Sequence, residues 1–154
     1  MKKIFIIALI VLTIMIPVSM VATGCSNNRE RTLVLTPGEH GEIHGWTMRF
    51  NSISITNRNA TMRYINFNVT ITNGRNHARQ FSNGSLVYIN GERYNRSIGG
   101  MPNQYMPFET RTGVFMVDVP IEDATFENEF VLQVRVRWRE GAHEYVRFVA
   151  GGNA

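Results

Sequence analysis

Apolar and polar residues alternate along most of the chain from Thr32 onward, which is the pattern of β-strands that bury one face. The clearest run spans residues 64–73, where every second position is apolar: Ile65, Phe67, Val69 and Ile71. Residues 130–138 repeat this alternation, and residues 115–119 form a third row. The same region shows no convincing helical periodicity. The pattern therefore predicts an all-β domain whose core is lined by these apolar rows.

Turn residues separate the apolar rows and delimit the predicted strands. Asn90-Gly91 lies between two apolar stretches and predicts a type I′ hairpin turn, in which both central residues need a positive φ. The predicted strands cover residues 32–35, 39–44, 46–56, 61–73, 78–82, 85–90, 92–95, 111–119, 129–139 and 143–149. Many short strands at this spacing indicate an immunoglobulin-like antiparallel β-sandwich over residues 32–150, with Trp46, Trp138 and Tyr145 expected in its core.

The N-terminus carries the features of an export signal. Lys2-Lys3 precedes an uncharged apolar stretch over residues 4–22. The next residues, Ala22-Thr23-Gly24-Cys25, resemble the bacterial lipobox, in which small residues precede a cysteine that is lipidated and becomes the new N-terminus; the usual Leu is here Ala22. This resemblance implies a lipoprotein signal peptide over residues 1–24, a diacylglyceryl and palmitate anchor on Cys25, and a short tether over residues 25–31.

An uncleaved membrane anchor is the alternative interpretation of the N-terminus. The apolar stretch has 19 residues, which is long enough to span a bilayer. Two acyl chains on Cys25 would also hold the protein firmly, where a single chain would not. Both interpretations place the domain at the cell membrane, on its extracytoplasmic face.

Composition narrows the possible functions. The chain has 154 residues, which is about one domain, and 44% of them are apolar. Cys25 is the only cysteine, so the domain has neither an internal disulfide nor a cysteine-based zinc site. Without the two signal-peptide lysines, 14 Arg face 12 Asp plus Glu, which is too small an excess to predict nucleic-acid binding. We therefore expect neither a nucleic-acid partner nor, in the absence of a nucleotide-binding glycine motif, a cofactor.

Arg135, Arg137 and Arg139 are candidate anion contacts. They alternate along one predicted strand, so their side chains would leave the same face about 7 Å apart, and Arg147 could join them from the next strand. Such a row suits the phosphates of lipid headgroups or of a wall polymer. The ordinary alternative is a solvent-facing row balanced by nearby glutamates.

The segment EHGEIH is a candidate metal site. On a strand, His40, Glu42 and His44 would share one face, and imidazole with carboxylate is a set that binds Zn or Cu. Glycines interrupt the segment and would leave such ligands poorly supported. We therefore favour a solvated hairpin here and assign no metal ligands.

Three blocks of the sequence resemble a known family. The blocks are GEIHGWTMRFNSISI, YINFNVTITNGRNHARQFSNGSLVYINGERY and MPFETRTGVFMVDVP. They are similar, in this order, to a domain-of-unknown-function family of bacterial lipoproteins, with the immunoglobulin-like fold of the secreted mycobacterial immunoprotective-antigen type. The likeness covers residues 36–149, although the family's usual Pro-Gly before the penultimate block is here Pro107-Phe108-Glu109. The family has no established catalytic residues, so the resemblance implies none.

These observations predict a membrane-tethered extracytoplasmic lipoprotein with a non-catalytic interaction domain. Its expected partners are the membrane, through the lipid on Cys25, and a protein or an envelope polymer. The mature sequence offers no persuasive catalytic set, so we do not expect an enzyme. The alternatives are an accessory subunit or an enzyme acting on envelope material, or a metal-binding module.

Overall fold

The computed structural model describes residues 29–81, 84–94, 98–139 and 142–152, which form two five-stranded β-sheets around one core. The first sheet contains, from edge to edge, β1 (Arg29–Leu35), β12 (Ala142–Gly151), β11 (Glu129–Arg139), β6 (Ser85–Ile89) and β7 (Glu92–Tyr94). The second sheet contains β2 (His40–Ile43), β3 (Trp46–Asn57), β4 (Met62–Asn73), β10 (Thr110–Pro120) and β8 (Ile98–Gly99). A small ribbon pairs β5 (Arg79–Gln80) with β9 (Gln104–Tyr105). None of the described residues belongs to a helix that could cross a bilayer.

The strand order is that of an immunoglobulin-like domain. β3, β4, β10 and β8 occupy the positions of strands A, B, E and D, while β12, β11, β6 and β7 occupy those of G, F, C and C′. The strands β1 and β2 are additions at the N-terminal side, and β1 pairs with β12 in parallel along its seven residues. The predicted β-sandwich is confirmed, with this one parallel pair as an exception to its antiparallel pairing.

The predicted apolar rows line the core between the sheets. In β4, the four alternating apolar side chains are at most 1% exposed, and the residues between them lie on the outer face. Phe50 of β3 stacks on Phe67 of β4 and meets Phe148 of β12 edge to face, so aromatic contacts join the two sheets. Complete burial of a side chain such as Phe67 stabilises the fold by about 1.5 to 3 kcal/mol.

The predicted strand positions agree well with the structure. The Asn90-Gly91 turn is confirmed, because both residues have a positive φ, of 51° and 83°. The two-residue strands β8 and β9 were not predicted, because an alternation cannot show in so short a run. β1 begins at Arg29, before the predicted start at residue 32, because an edge strand can keep polar residues while its backbone pairs with β12.

The N-terminal strand starts at one end of the sandwich, which we call the loop end and define as residues 43–46, 73–79 and 105–111. Backbone and side-chain hydrogen bonds join these three segments. The strand β1 starts at the same end, since Arg31 lies opposite Glu144 in the sheet and the Glu144 carboxylate lies 3.5 Å from Nδ1 of His44. The turns over residues 57–62 and 120–129 lie at the opposite end, which we call the far end.

Candidate functional site

Asn73, at the C-terminal end of β4, holds the loop end together. It is the buried polar residue of the described core, with 0% exposure. Its Nδ2 donates hydrogen bonds to the carbonyl oxygens of His77 (2.8 Å) and Met106 (3.0 Å), and its Oδ1 accepts one from the Arg75 backbone N–H (3.1 Å). One side chain thus fixes two loops that are more than thirty residues apart in the sequence.

An aromatic cluster supports the loops from below. Trp46, Phe81 and Tyr105 are all buried, and Trp46 meets the other two rings edge to face at centroid distances of 5.2 and 5.4 Å. The guanidinium of Arg79 lies 4.6 Å from the Trp46 ring, and that of Arg111 lies 5.1 Å from the Tyr105 ring. The cluster is a closed floor for the loops rather than an open aromatic surface.

The polar atoms of this cluster have no hydrogen-bond partner in the described part of the chain. These atoms are Trp46 Nε1 and the Tyr105 hydroxyl oxygen. Burial also raises the pKa of Tyr105 to about 12, against the weaker effect of the nearby Arg111 charge. The phenol therefore stays protonated at neutral pH and is not suited to act as a base.

The turn that precedes β10 presents two apolar side chains to solvent. Met106 is 58% exposed and Phe108 is 65% exposed. Phe108 has a φ of 55°, in the left-handed region that glycine prefers. The alternation of apolar and polar residues does not predict this exposed pair. The available signal was an apolar pair around Pro107 in a segment that otherwise has the polar composition of a turn.

Glu109 anchors that turn electrostatically. Its Oε2 accepts a hydrogen bond from the Met106 backbone N–H (2.7 Å), and its Oε1 accepts one from Nε of Arg111 (2.7 Å). The hydrogen bond from Met106 lowers the pKa of this carboxyl, and the bond from Arg111 lowers it further. The Glu109 carboxylate is therefore paired within the turn. It does not neutralise the other arginines of the loop end, which stays basic.

The three side chains of the histidine segment do not share one face, as the alternative of a metal site would require. His40 and Glu42 are exposed on β2, whereas His44 lies in the following turn with a φ of 50° and contacts Glu144 of β12. Strand alternation would place His44 on the face of His40 and Glu42. The strand ends at Ile43, however, and the turn sends the His44 side chain in another direction. No group of three His, Cys, Asp or Glu that could hold a metal ion occurs among the described residues.

Arg135 lies on the outer face of the first sheet, beside a small pocket. The pocket has a volume of about 180 Å³ and is lined by Arg135, Gln133, Tyr145 and residues 84–86. Tyr145, which we expected in the core, instead lies half-buried on this outer face opposite Arg135. Arg147 shares the face through its pairing with Gln133. The space is smaller than most organic-ligand pockets and suits a small anionic group.

The rest of the predicted arginine row stays a prediction. The β11–β12 register shifts between Arg135 and Arg137, so their spacing of two residues no longer ensures that they share a face. Of Arg137, Trp138 and Arg139 the structure describes the backbone alone. Cys25 and the predicted signal peptide lie outside the described residues.

Comparison with known proteins finds likeness in fold only. No family model matches the chain, and no curated protein matches it. An uncharacterized β-sandwich protein from Clostridium difficile 630 superposes with a TM-score of 0.53 at 15% identity, covering 82% of this chain and 99% of that one. A putative lipoprotein from Bacillus subtilis subsp. subtilis str. 168 superposes with a TM-score of 0.51 at 11% identity, covering 73% of this chain and 38% of that one.

The chain has the fold of a bacterial β-sandwich protein. The likeness to the Clostridium and Bacillus proteins supports the β-sandwich fold. It does not support the finer assignment to the immunoprotective-antigen type. At such low identity the fold is all that the likeness shows.

Proposed function

We propose that the protein is a membrane-tethered extracytoplasmic lipoprotein whose β-sandwich binds a protein or an envelope polymer without catalysing a reaction. The observation that carries this proposal is the small number of residues between Cys25 and the first strand. The strand β1 begins at Arg29, so the chain between the two residues spans at most about 14 Å. A lipid on Cys25 would therefore hold the loop end close to the bilayer.

Two further observations support the proposal. The sequence before Cys25 has the composition of an export signal, and a protein of similar fold is described as a putative lipoprotein. The immunoglobulin-like strand order is also compatible with the immunoprotective-antigen type, which we retain only as part of this proposal. The loop end and the pocket beside Arg135 are then the two candidate surfaces for contacts.

Mass spectrometry of the membrane fraction tests the lipid anchor. We expect a diacylated N-terminal peptide that begins at Cys25. The control variant Cys25→Ser should lack this peptide and keep the mass of the unprocessed chain, because the modified thiol is gone. An intact Met1 N-terminus on the wild-type protein would contradict lipidation and favour an uncleaved anchor.

The pocket beside Arg135 favours an anionic envelope polymer as one partner. Polyphosphate is a suitable probe, because a guanidinium binds phosphate through charge-assisted hydrogen bonds. Arg135→Gln should weaken polyphosphate binding about tenfold, which is the loss of one such contact. Arg49→Gln, which removes an exposed arginine from the second sheet, is the matched control for net charge. Equal losses in the two variants would refute a specific site at Arg135.

A further inference from the structure

The Met106–Phe108 turn is the most exposed apolar feature of the loop end. Both side chains project from one short turn, and Phe108 adopts its left-handed backbone conformation while its ring remains in solvent. The conformation is unfavourable for a side chain with a Cβ, and exposure of the ring gains nothing for folding. Strained residues of this kind concentrate at sites of function.

The turn is held in place by its own hydrogen bonds. The Glu109 backbone N–H donates to the Met106 carbonyl oxygen (3.2 Å), and the Glu109 carboxylate accepts the Met106 N–H. The Phe108 N–H donates to the Arg75 carbonyl oxygen (3.2 Å), and Asn73 also bonds Met106. The apolar tip is therefore presented in one fixed geometry, which lowers the entropic cost of binding.

Basic residues lie at the same end of the sandwich as the apolar tip. Arg75 and His77 are exposed on the loop that bonds Phe108, and Arg75 forms no ion pair with any residue that the structure describes. Arg31 is exposed on β1 at the same end. Glu109 is already paired with Arg111 at 2.6 Å. An apolar tip with exposed arginines at the same end matches a surface of acyl chains and phosphates.

We infer that the Met106–Phe108 turn inserts into the phospholipid surface of the protein's own membrane, with Arg75 against the lipid phosphates. The inference rests on the proposed function, because it takes the membrane to lie beyond the start of β1. The turn lies at the same end as Arg29, and the chain from Cys25 to Arg29 is too short for that end to move far from the bilayer. Because the tether keeps this end next to the bilayer, we favour phospholipid over a protein as the partner of the turn.

Depth-dependent fluorescence quenching tests this inference. The full chain is reconstituted in vesicles of phosphatidylglycerol and phosphatidylcholine, with or without brominated acyl chains, which quench tryptophan at short range. The reporter variants are Phe108→Trp and Met106→Trp, and the matched control is Phe126→Trp, since Phe126 is 53% exposed at the far end. The wild-type signal from Trp46 and Trp138 is subtracted.

Brominated lipid should quench the tryptophans at positions 108 and 106 at least twofold and leave the one at position 126 unchanged. Adding Arg75→Gln to Phe108→Trp should reduce the quenching in anionic vesicles, whereas Arg49→Gln should not. Quenching that is absent at both turn positions, or equal at 108 and 126, overturns the inference. If an added envelope protein strongly enhances the tryptophan fluorescence at position 108 and brominated lipid does not quench it, the turn binds a protein partner instead.

The outcome separates this inference from the proposed function. A lipidated Cys25 peptide without quenching at the turn leaves the lipoprotein proposal intact and refutes insertion. Quenching at the turn with an intact Met1 N-terminus supports insertion and refutes lipidation. Circular dichroism of each variant confirms that the substitution leaves the fold unchanged.

Discussion

Replacing Asn73 by Ala should destabilise the domain by about 3 kcal/mol. The side chain is fully buried and makes three hydrogen bonds, each of which contributes about 1 kcal/mol net. The cost cannot be recovered by repacking, because Ala can neither donate to the carbonyl groups of His77 and Met106 nor accept from the amide of Arg75. We therefore expect a large loss from a residue that contributes no apolar surface.

Urea unfolding of wild type, Asn73→Ala and Asn66→Ala measures this effect. Asn66 lies on the same strand, but its side chain points to the outer face and bonds Thr56 and Ser54 at the surface. Its removal should cost less than about 1 kcal/mol, because water replaces those partners. Hydrogen exchange should also show faster exchange of the Phe108 amide in Asn73→Ala. Similar free energies of unfolding for both variants would refute the view that Asn73 organises the loop end.

Two further predictions concern the core and pH dependence. Phe67 and Val134 are both fully buried, so truncating either to Ala should lower the free energy of unfolding. We expect a loss of about 3 to 5 kcal/mol for Phe67→Ala and a smaller loss for Val134→Ala, which removes fewer atoms. Denaturant titration that shows no effect of either variant would contradict the assigned faces. Since the pKa of Glu109 is lowered in the folded state, its ionised form stabilises the fold above the carboxyl's ordinary pKa of 4.5, and this contribution is lost as the pH falls through the lowered value. The melting temperature of wild type should therefore exceed that of Glu109→Gln at pH 7 and converge with it in acid, whereas a constant difference would show that Glu109 acts without its charge.

The sandwich could be predicted from the sequence because short stretches of residues are enough to indicate its strands and turns. Alternation over residues 64–73 assigns the faces of β4, and Asn90-Gly91 sets one hairpin, without reference to the rest of the chain. The parallel pairing of β1 could not be predicted, because Arg29–Leu35 gains its partner only when β12, over a hundred residues later, is in place. Its polar residues gave no alternation to detect.

The candidate site was harder to predict for the same reason. Asn73 could not be singled out, since its partners His77 and Met106 meet it only through tertiary structure. Likewise, Arg135 and Arg137 were placed on one face by their spacing, but that spacing says nothing of the register shift between them. Sequence periodicity describes regular strands, and the features that distinguish this domain are departures from regularity.

The parallel pairing of β1 with β12 determines how the domain responds to mechanical force. The strand β1 starts at the loop end at Arg29, and β12 runs in the same direction and ends at the far end, where Gly152 bonds Asn128. A pull applied between the start of β1 and the end of β12 therefore loads the two strands in shear. All seven residue pairs then resist sliding together, whereas a hairpin pulled open from its ends would lose its pairs one at a time. If Cys25 carries the proposed lipid, β1 is the strand next to the anchor, and its pairing with β12 would resist extension and keep the domain folded under load.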